Sequence, residues 1–374
     1  GWRGARTADS AGWGVTSTAG RLGSAGVWTK GSGQLVLIAA SGGLTAGSAC
    51  EVTLGIRNPV SDQPSPAVSV SAALDDGGGN SVALITASNM EKLGRALFGV
   101  AEGTDPLTVA RPVFFIKSIQ QSTPVPNAVN TLTMMIGANY DLPDGSTVTI
   151  SGLTGSQTVS ADRLAISSSL GVLGSAGAWT QSSGQLVLTA AAGGTAAGSV
   201  CEVRVTLQNK GSDQSSPAVG ISASIVDGAG VAVGTIGVTA MTKPGTALHG
   251  VLQGADPLRV EGPVFAVKSI GQSTPVSGAL NTLTVTLTPS YDLSRESTVT
   301  ISGLTGSQTA DTSYFELSSA SGCDEVGGMW SQAGALVLRP GAGGMSSGGA
   351  CVMTFRLRNP DTDQSSPSVM VWAE

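Results

Sequence analysis

One histidine, His249, stands in the 374 residues, and this scarcity is the first constraint on chemistry. An imidazole-based metal cluster is excluded, and any Ser/His/Asp triad would have to use that one ring. Charged residues make up only 12% of the chain and aromatics 4%. The 25 acids and 19 bases give a formal net charge of −6. No Lys/Arg cluster exists, which argues against nucleic acid as a partner, since phosphates demand clustered cations. No polybasic patch suits an anionic membrane surface either. The charge-free stretch Leu164–Cys201 is interrupted throughout by Gly and Ser, so no apolar run approaches the roughly 20 residues of a membrane-spanning helix. Asn80, Asn130 and Asn281 are followed by Ser-Val or Thr-Leu, and no N-glycosylation sequon is completed. The sequence starts at Gly1 with neither Met nor a signal-peptide pattern, so processing or a fragment is the expectation.

What remains is Gly, at 53 residues, with Ser, Thr, Ala and Val everywhere. β-Branched residues suit a pleated surface and Gly breaks helices, so the composition reads as all-β. So few charges leave the surface short of hydration. Two remedies are expected, O-linked sugar on the dense Ser and Thr, or burial in a polymer.

The organising stretch is Cys201-Glu-Val-Arg-Val-Thr-Leu-Gln-Asn209, followed by Asp213-Gln-Ser-Ser-Pro. It returns at Cys50–Asn58 with Asp62-Gln-Pro-Ser-Pro, and at Cys351–Asn359 with Asp363-Gln-Ser-Ser-Pro. The cysteines are spaced by 151 and 150 residues, and Trp28, Trp179 and Trp330 by 151 each. That period is too long for a solenoid and suits whole globular domains in tandem.

Residues 1–21 match no later stretch by eye and read as an N-terminal arm. Leu22-Gly-Ser-Ala-Gly-Val-Trp28 matches Leu173-Gly-Ser-Ala-Gly-Ala-Trp179, so the repeat is entered there, in its middle. Gln34–Ala39, Cys50–Asn58 and Ala67–Ala72 alternate between turn residues and read as a three-strand block. Residues 80–111 read as a connector with one or two strands of its own. A four-strand block follows at Val113–Ile119, Asn130–Ile136, Ser146–Ser151 and Leu164–Ser167, and returns from Val264. Together the blocks predict tandem immunoglobulin-like antiparallel β-sandwiches. The expected division is an arm at 1–21, an incomplete repeat plus connector at 22–111, a second repeat plus connector at 112–262, and a third at 263–374.

A lone three-strand block would expose an apolar face and free edges. Either a neighbouring copy supplies strands, making a head-to-tail homopolymer, or the missing half lies upstream in a longer array. The assembly candidates are Leu35, Leu37, Val52 and Leu54 in the incomplete block and Val369, Val371 and Trp372 near the other end.

The copies act as controls on candidate chemistry. Gly344-Met-Ser-Ser-Gly348 fits a nucleophile-elbow pattern, but Ala196 and Thr45 stand where Ser346 does, which favours a turn. His249 has Phe98 as its counterpart and reads as packing or surface. Asp227-Gly-Ala-Gly reads as a hairpin turn rather than a dinucleotide loop. The recurring acids Asp62/Asp213/Asp363, Asp105/Asp256 and Asp141/Asp292 are single and far apart, so turn caps are preferred to calcium ligands. No catalytic residue, metal or cofactor is expected. Cys323 and Cys351 flank the Trp330 strand and are expected to form a disulfide worth roughly 3 to 4 kcal/mol, which would place the protein outside the cytosol. Cys50 and Cys201 have no such partner and read as small apolar residues.

Thr147-Val-Thr-Ile-Ser-Gly-Leu-Thr-Gly-Ser-Gln-Thr158 and its copy at 298–309, with Gly-Gln-Leu-Val-Leu and Cys-Glu-Val, resemble the tandem β-sandwich repeats of large secreted proteins of algae and other protists. Those proteins are similar to surface-hair and glycofibril subunits. The resemblance implies an extracellular structural role and heavy O-glycosylation. The alternative is a cell-surface adhesin or carbohydrate-binding repeat protein, for which the three repeated tryptophans would be stacking platforms.

Overall fold

The computed structural model describes residues 2–321 and 327–374. Among them there is no α-helix, only strands and two 3-10 turns. The first copy carries β1 (Ser10–Ser17), β2 (Ala25–Thr29), β3 (Gln34–Leu37), β4 (Val52–Leu54), β5 (Ser69–Asp75) and β6 (Ser81–Asn89). The second carries β7 (Phe114–Gln121), β8 (Val129–Ala138), β9 (Thr147–Ser151), β10 (Ala161–Ser168), β11 (Ala176–Thr180), β12 (Gln185–Thr189), β13 (Val200–Gln208), β14 (Gly220–Val226) and β15 (Ala232–Ala240). The third carries β16 (Phe265–Gln272), β17 (Leu280–Pro289), β18 (Val299–Ser302), β19 (Thr312–Phe315), β20 (Ser318–Ser321), β21 (Gly327–Ser331), β22 (Ala335–Arg339), β23 (Cys351–Arg358) and β24 (Met370–Ala373).

The second copy shows the complete arrangement. One sheet runs β15-β14-β9-β12-β11-β10 and the other β10-β13-β8-β7, with these strand pairs all antiparallel. β10 belongs to both: it pairs with β11 through Ala165, with a register irregularity between Ala161 and Leu164, and then with β13 from Ile166. A strand that changes sheets in this way turns a corner of the sandwich. At the opposite rim, Thr242 follows β15 and bridges Ser118 of β7 in parallel. The Ile119 N–H donates to the Thr242 carbonyl at 3.0 Å, and the Thr242 N–H to the Lys117 carbonyl at 2.7 Å.

Strand alternation fills the space between the sheets. Leu132 and Met134 of β8, Ile150 of β9, Leu186 and Leu188 of β12, Val203 of β13 and Ile221 of β14 are all 0% exposed. Each such side chain stabilises the fold by about 1.5 to 3 kcal/mol relative to exposure. The polar end of the core is closed by an amide network. Asn130 donates to the side-chain oxygens of Gln121 (2.8 Å) and Asn209 (2.7 Å), and Gln121 donates to the carbonyls of Gly254 and Arg259.

The register places residues 1–21 inside the first copy, correcting the expectation of an arm. β1 pairs with β2 and β4 as β10 pairs with β11 and β13, and the two strands share one burial pattern. The indole N–H of Trp28 donates to the Thr7 carbonyl, as Trp179 does to Thr158 and Trp330 to Thr309. The equivalence is hidden because Trp2 and Trp13 stand where Leu153 and Leu164 do, so the positions stay apolar and pack around Trp28 without identity or matched size. The connector at 80–111 likewise contains a full strand, β6, paired with β5.

Trp28, Trp179 and Trp330 are 1%, 2% and 3% exposed. They are core residues, which removes the stacking-platform expectation: a buried indole with its N–H bonded offers no face to a sugar.

Successive copies meet through a contact made twice. Phe98 and His249 sit in the left-handed backbone region, at φ 50° and 51°. Their carbonyls accept the N–H of Asp141 and Asp292, at 3.0 Å each. The same two carboxylates accept from the N–H of Ala197 and Ser347. Gly99 and Gly250 follow, also left-handed, and an added Cβ at either would collide with Ala197 or Ser347. His249 thus serves through its backbone. Tyr140 and Tyr291 complete the junctions by donating to the carbonyls of Ala110 (2.5 Å) and Glu261 (2.6 Å). Burial raises both phenol pKa values; Tyr291, also facing Glu261 and Asp213, is pushed up to about 12.

Two outcomes follow. Trp179→Ala should cost about 3 to 5 kcal/mol in denaturant unfolding, as a large-to-small core change does. Tyr291 favours its neutral form when folded, so its contribution is complete below about pH 10 and is lost as the pH rises through about 12. Unfolding free energy measured across that window should fall for the native chain, and Tyr291→Phe should flatten part of the fall.

Candidate functional site

Among the described residues the second copy alone shows every strand of the repeat, so it serves as the reference for how the strands cover one another. In the second copy β9 lies between β12 and β14, with Ile150 opposite both Leu186 and Ile221. β8 pairs with β13 along its whole length, Val200–Gln208. The first copy has no counterpart of β7, β8 or β9 among the described residues, so β3, β4 and β5 each lack that neighbour. Leu35 and Leu37, counterparts of Leu186 and Leu188, are only half-buried. Val52 and Leu54 are half-buried too, whereas Val203 and Val205 are 0% and 1% exposed. Cys50 is half-buried where Cys201 is buried, and both are free thiols. Every residue of β5 and β6 is exposed. Their hairpin is held by its ladder and by its tip, where Asp76 accepts from Gly78 and Asn80. The Asn80 amide and these backbone N–H groups lower the Asp76 pKa.

The second surface is in the third copy, which has no described counterpart of β15 or of the strap that follows it. Ile119 is 1% exposed beneath that strap, and its counterpart Ile270 is 39% exposed. Val369 and Val371, in the places of Val219 (3%) and Ile221 (0%), are half-buried, and Trp372 is 41% exposed. A groove of about 340 Å³ runs between Lys268–Ile270 on one side and Val369–Val371 on the other, floored by Val285, Leu287 and Ile301. Lys268 is the one charged residue in this lining. A neighbouring hollow of about 250 Å³ includes Gln272 and Asn281. Asn281 still bonds Gln272 and Asn359, but the strap carbonyls that cap Gln121 in the second copy have no described equivalent here.

The assembly candidates therefore fall into two separate sets. Leu35, Leu37, Val52 and Leu54 line the first surface, and Val369, Val371 and Trp372 border the second. Lys268, Ser269 and Ile270 were invisible to sequence reasoning, because Lys117-Ser-Ile119 is the same tripeptide. Cys351 is buried at the head of β23, and its expected partner Cys323 lies outside the described residues.

The candidate chemistries resolve into turns. Met345 and Leu293 exchange backbone hydrogen bonds, as Thr195 and Leu142 do, so the Gly-rich motif is a strand bridge. Asp227 accepts from Ala229 and Val231 in a hairpin tip. Asp62 and Asp213 cap Arg111 and Gly262, and Asp105 and Asp256 cap Gly94 and Gly245. Among the described residues no group of three or more His, Cys, Asp or Glu could hold a metal. No helix among them is long and apolar enough to cross a membrane. Among the described residues both surfaces show a strand edge with no paired strand beside an apolar row.

No family model matches the chain, and no curated protein matches it. Among solved structures it is similar to a serine-rich repeat protein, Srr2, of Streptococcus agalactiae, at 11% identity and TM-score 0.22, covering 70% of this chain and 93% of that one. It is also similar to the type II cohesin dyad from the adaptor ScaA scaffoldin of Acetivibrio cellulolyticus, at 14% identity and TM-score 0.21, covering 68% and 86%. A third likeness is to the collagen-binding domain of the Erysipelothrix rhusiopathiae surface protein RspB, at 9% identity and TM-score 0.18, covering 70% and 85%. Likenesses at this level carry no argument about what the chain does.

Proposed function

We propose that the chain is a structural, non-enzymatic segment of an extracellular fibril, in which β-sandwich copies complete one another by strand complementation. The supporting observation is a comparison within the molecule. Apolar rows that are 0% to 1% exposed in the second copy, such as Leu186, Leu188 and Val203, are half open in the first, where no described residue covers them. A face of this kind is not stable in water by itself. The first surface takes strands of the β7–β9 type and the second a strand of the β15 type. The two surfaces differ, so a contact between them would be heterologous, head to tail.

The repeated junction suits the same role, since each copy is clipped to the next by the same carbonyl, carboxylate and phenol contacts. The chain's repeat style, similar to that of secreted protist fibril proteins, supports an extracellular site. O-linked sugar on Ser and Thr and a Cys323–Cys351 disulfide are part of this proposal. Electron microscopy of the purified chain at micromolar concentration should show strings or filaments of beads. Single particles at every concentration tried, with no cross-linkable neighbours, would remove the polymer.

A further inference from the structure

The outward face of the third copy rests on a feature made three times. β1, β10 and β19 each slip register at the same place, between Ser10 and Trp13, Ala161 and Leu164, and Thr312 and Phe315. An irregularity of this kind re-aims the side chains inside it. The residue presented there differs in every copy, being Gly12, Arg163 and Tyr314. In the third copy the Thr312 hydroxyl donates to the Tyr314 carbonyl (2.8 Å) and accepts from the Tyr314 N–H (3.1 Å). It fixes the backbone beneath a ring that is 78% exposed.

Tyr314 borders a cleft of about 270 Å³ together with Ser313, Met329, Val337 and Arg339. Met329 lies opposite Val337 and is 46% exposed. β21 and β22 are each paired on both sides, and β19 pairs with β21 as the first half of β10 pairs with β11. The cleft therefore lies on the outer face of fully paired strands and owes nothing to an uncovered core. Arg163, Ala178, Val187 and Thr189 hold the same positions in the second copy. The third copy has thus gained a ring, a thioether and a guanidinium on one scaffold. Among the described residues no acid lines the cleft, and Arg339 forms no ion pair. Glu316, exposed two residues beyond Tyr314, stands outside the lining.

An exposed ring, an apolar floor and an unpaired guanidinium are complementary to a ligand with one apolar face and one carboxylate. A pyranose presents C–H groups on a face that packs against an aromatic ring. An acidic sugar adds a carboxylate, which arginine binds through two parallel N–H donors. The cleft is slightly smaller than the ~300 to 1,000 Å³ of ordinary small-molecule sites, which suits one sugar ring. The chain's net charge of −6 disfavours a polyanion and leaves a single carboxylate as the better match.

We infer that the cleft between Tyr314 and Arg339 binds an acidic sugar residue at the end of a glycan. The ring packs on Tyr314 and Met329, and Arg339 holds the carboxylate. This is the stacking role that the buried Trp28, Trp179 and Trp330 cannot take, and it is independent of the fibril reading.

The test uses the whole chain and biotinylated glycans ending in glucuronate, galacturonate or sialate, each beside its neutral counterpart, read by biolayer interferometry. At least one acidic glycan should bind saturably, with a Kd of about 0.1 to 1 mM, and its neutral counterpart at least about tenfold more weakly. Arg339→Gln should bring the acidic glycan down to the neutral level. Tyr314→Ser should weaken both, while Tyr314→Phe should retain binding. Tyr314 and Arg339 are exposed, so these variants fold. No saturable binding of any acidic glycan, equal binding of acidic and neutral forms, unchanged binding by Arg339→Gln, or competition by acetate as strong as that by the free sugar acid would each overturn the inference. Filaments that bind no glycan would sink this site and leave the fibril reading standing; glycan binding by single particles would do the reverse.

Discussion

The sandwich depends on β9. It is the strand that ties β12 to β14, and its Ile150 lies opposite Leu186 in one neighbour and Ile221 in the other, all three 0% exposed. With β9 in place, one sheet runs unbroken from β15 to β10 and faces the other across a dry core. In the first copy no described residue stands in the place of β9, and β5–β6 forms a sheet separate from β3-β2-β1-β4. What β9 contributes is area removed from water. No local feature of β3 or β5 supplies it.

Charge contributes little to holding the chain together. Among the described residues there are four ion pairs, and none has both partners buried. Exposed pairs of this sort are worth about 0 to 1 kcal/mol. The acids act instead as acceptors for backbone N–H groups at turns and strand ends, as Asp141 and Asp292 do at the junctions. A carboxylate that satisfies backbone donors fixes loop geometry without needing a cation. The same economy explains a chain that is only 12% charged yet has ordered turns.

Repetition made much of this legible. The period, the all-β class and most strands follow from alternation between Gly, Asp and Pro turns. The dismissal of Ser346, Asp227 and the paired acids followed from comparing copies. Three things escaped. β1 was hidden because its apolar positions are held by different residues from those of β10. The junction role of His249 belongs to its carbonyl, about which an imidazole says nothing. The buried network of Asn130, Asn209 and Gln121 could have been suspected from its return as Asn281, Asn359 and Gln272, but polar residues closing apolar strands read equally well as turn caps.

The sequence by itself determined that the chain is a tandem array of short antiparallel strands, because strand periodicity and turn chemistry are local properties. It determined equally that no catalytic constellation repeats. Only the tertiary structure decided which apolar residues are core and which are open surface. Lys117-Ser-Ile119 and Lys268-Ser-Ile270 are identical as text, yet Ile119 is covered and Ile270 is not. Burial belongs to a pair of strands rather than to a residue, and which strands are paired is visible only in the fold.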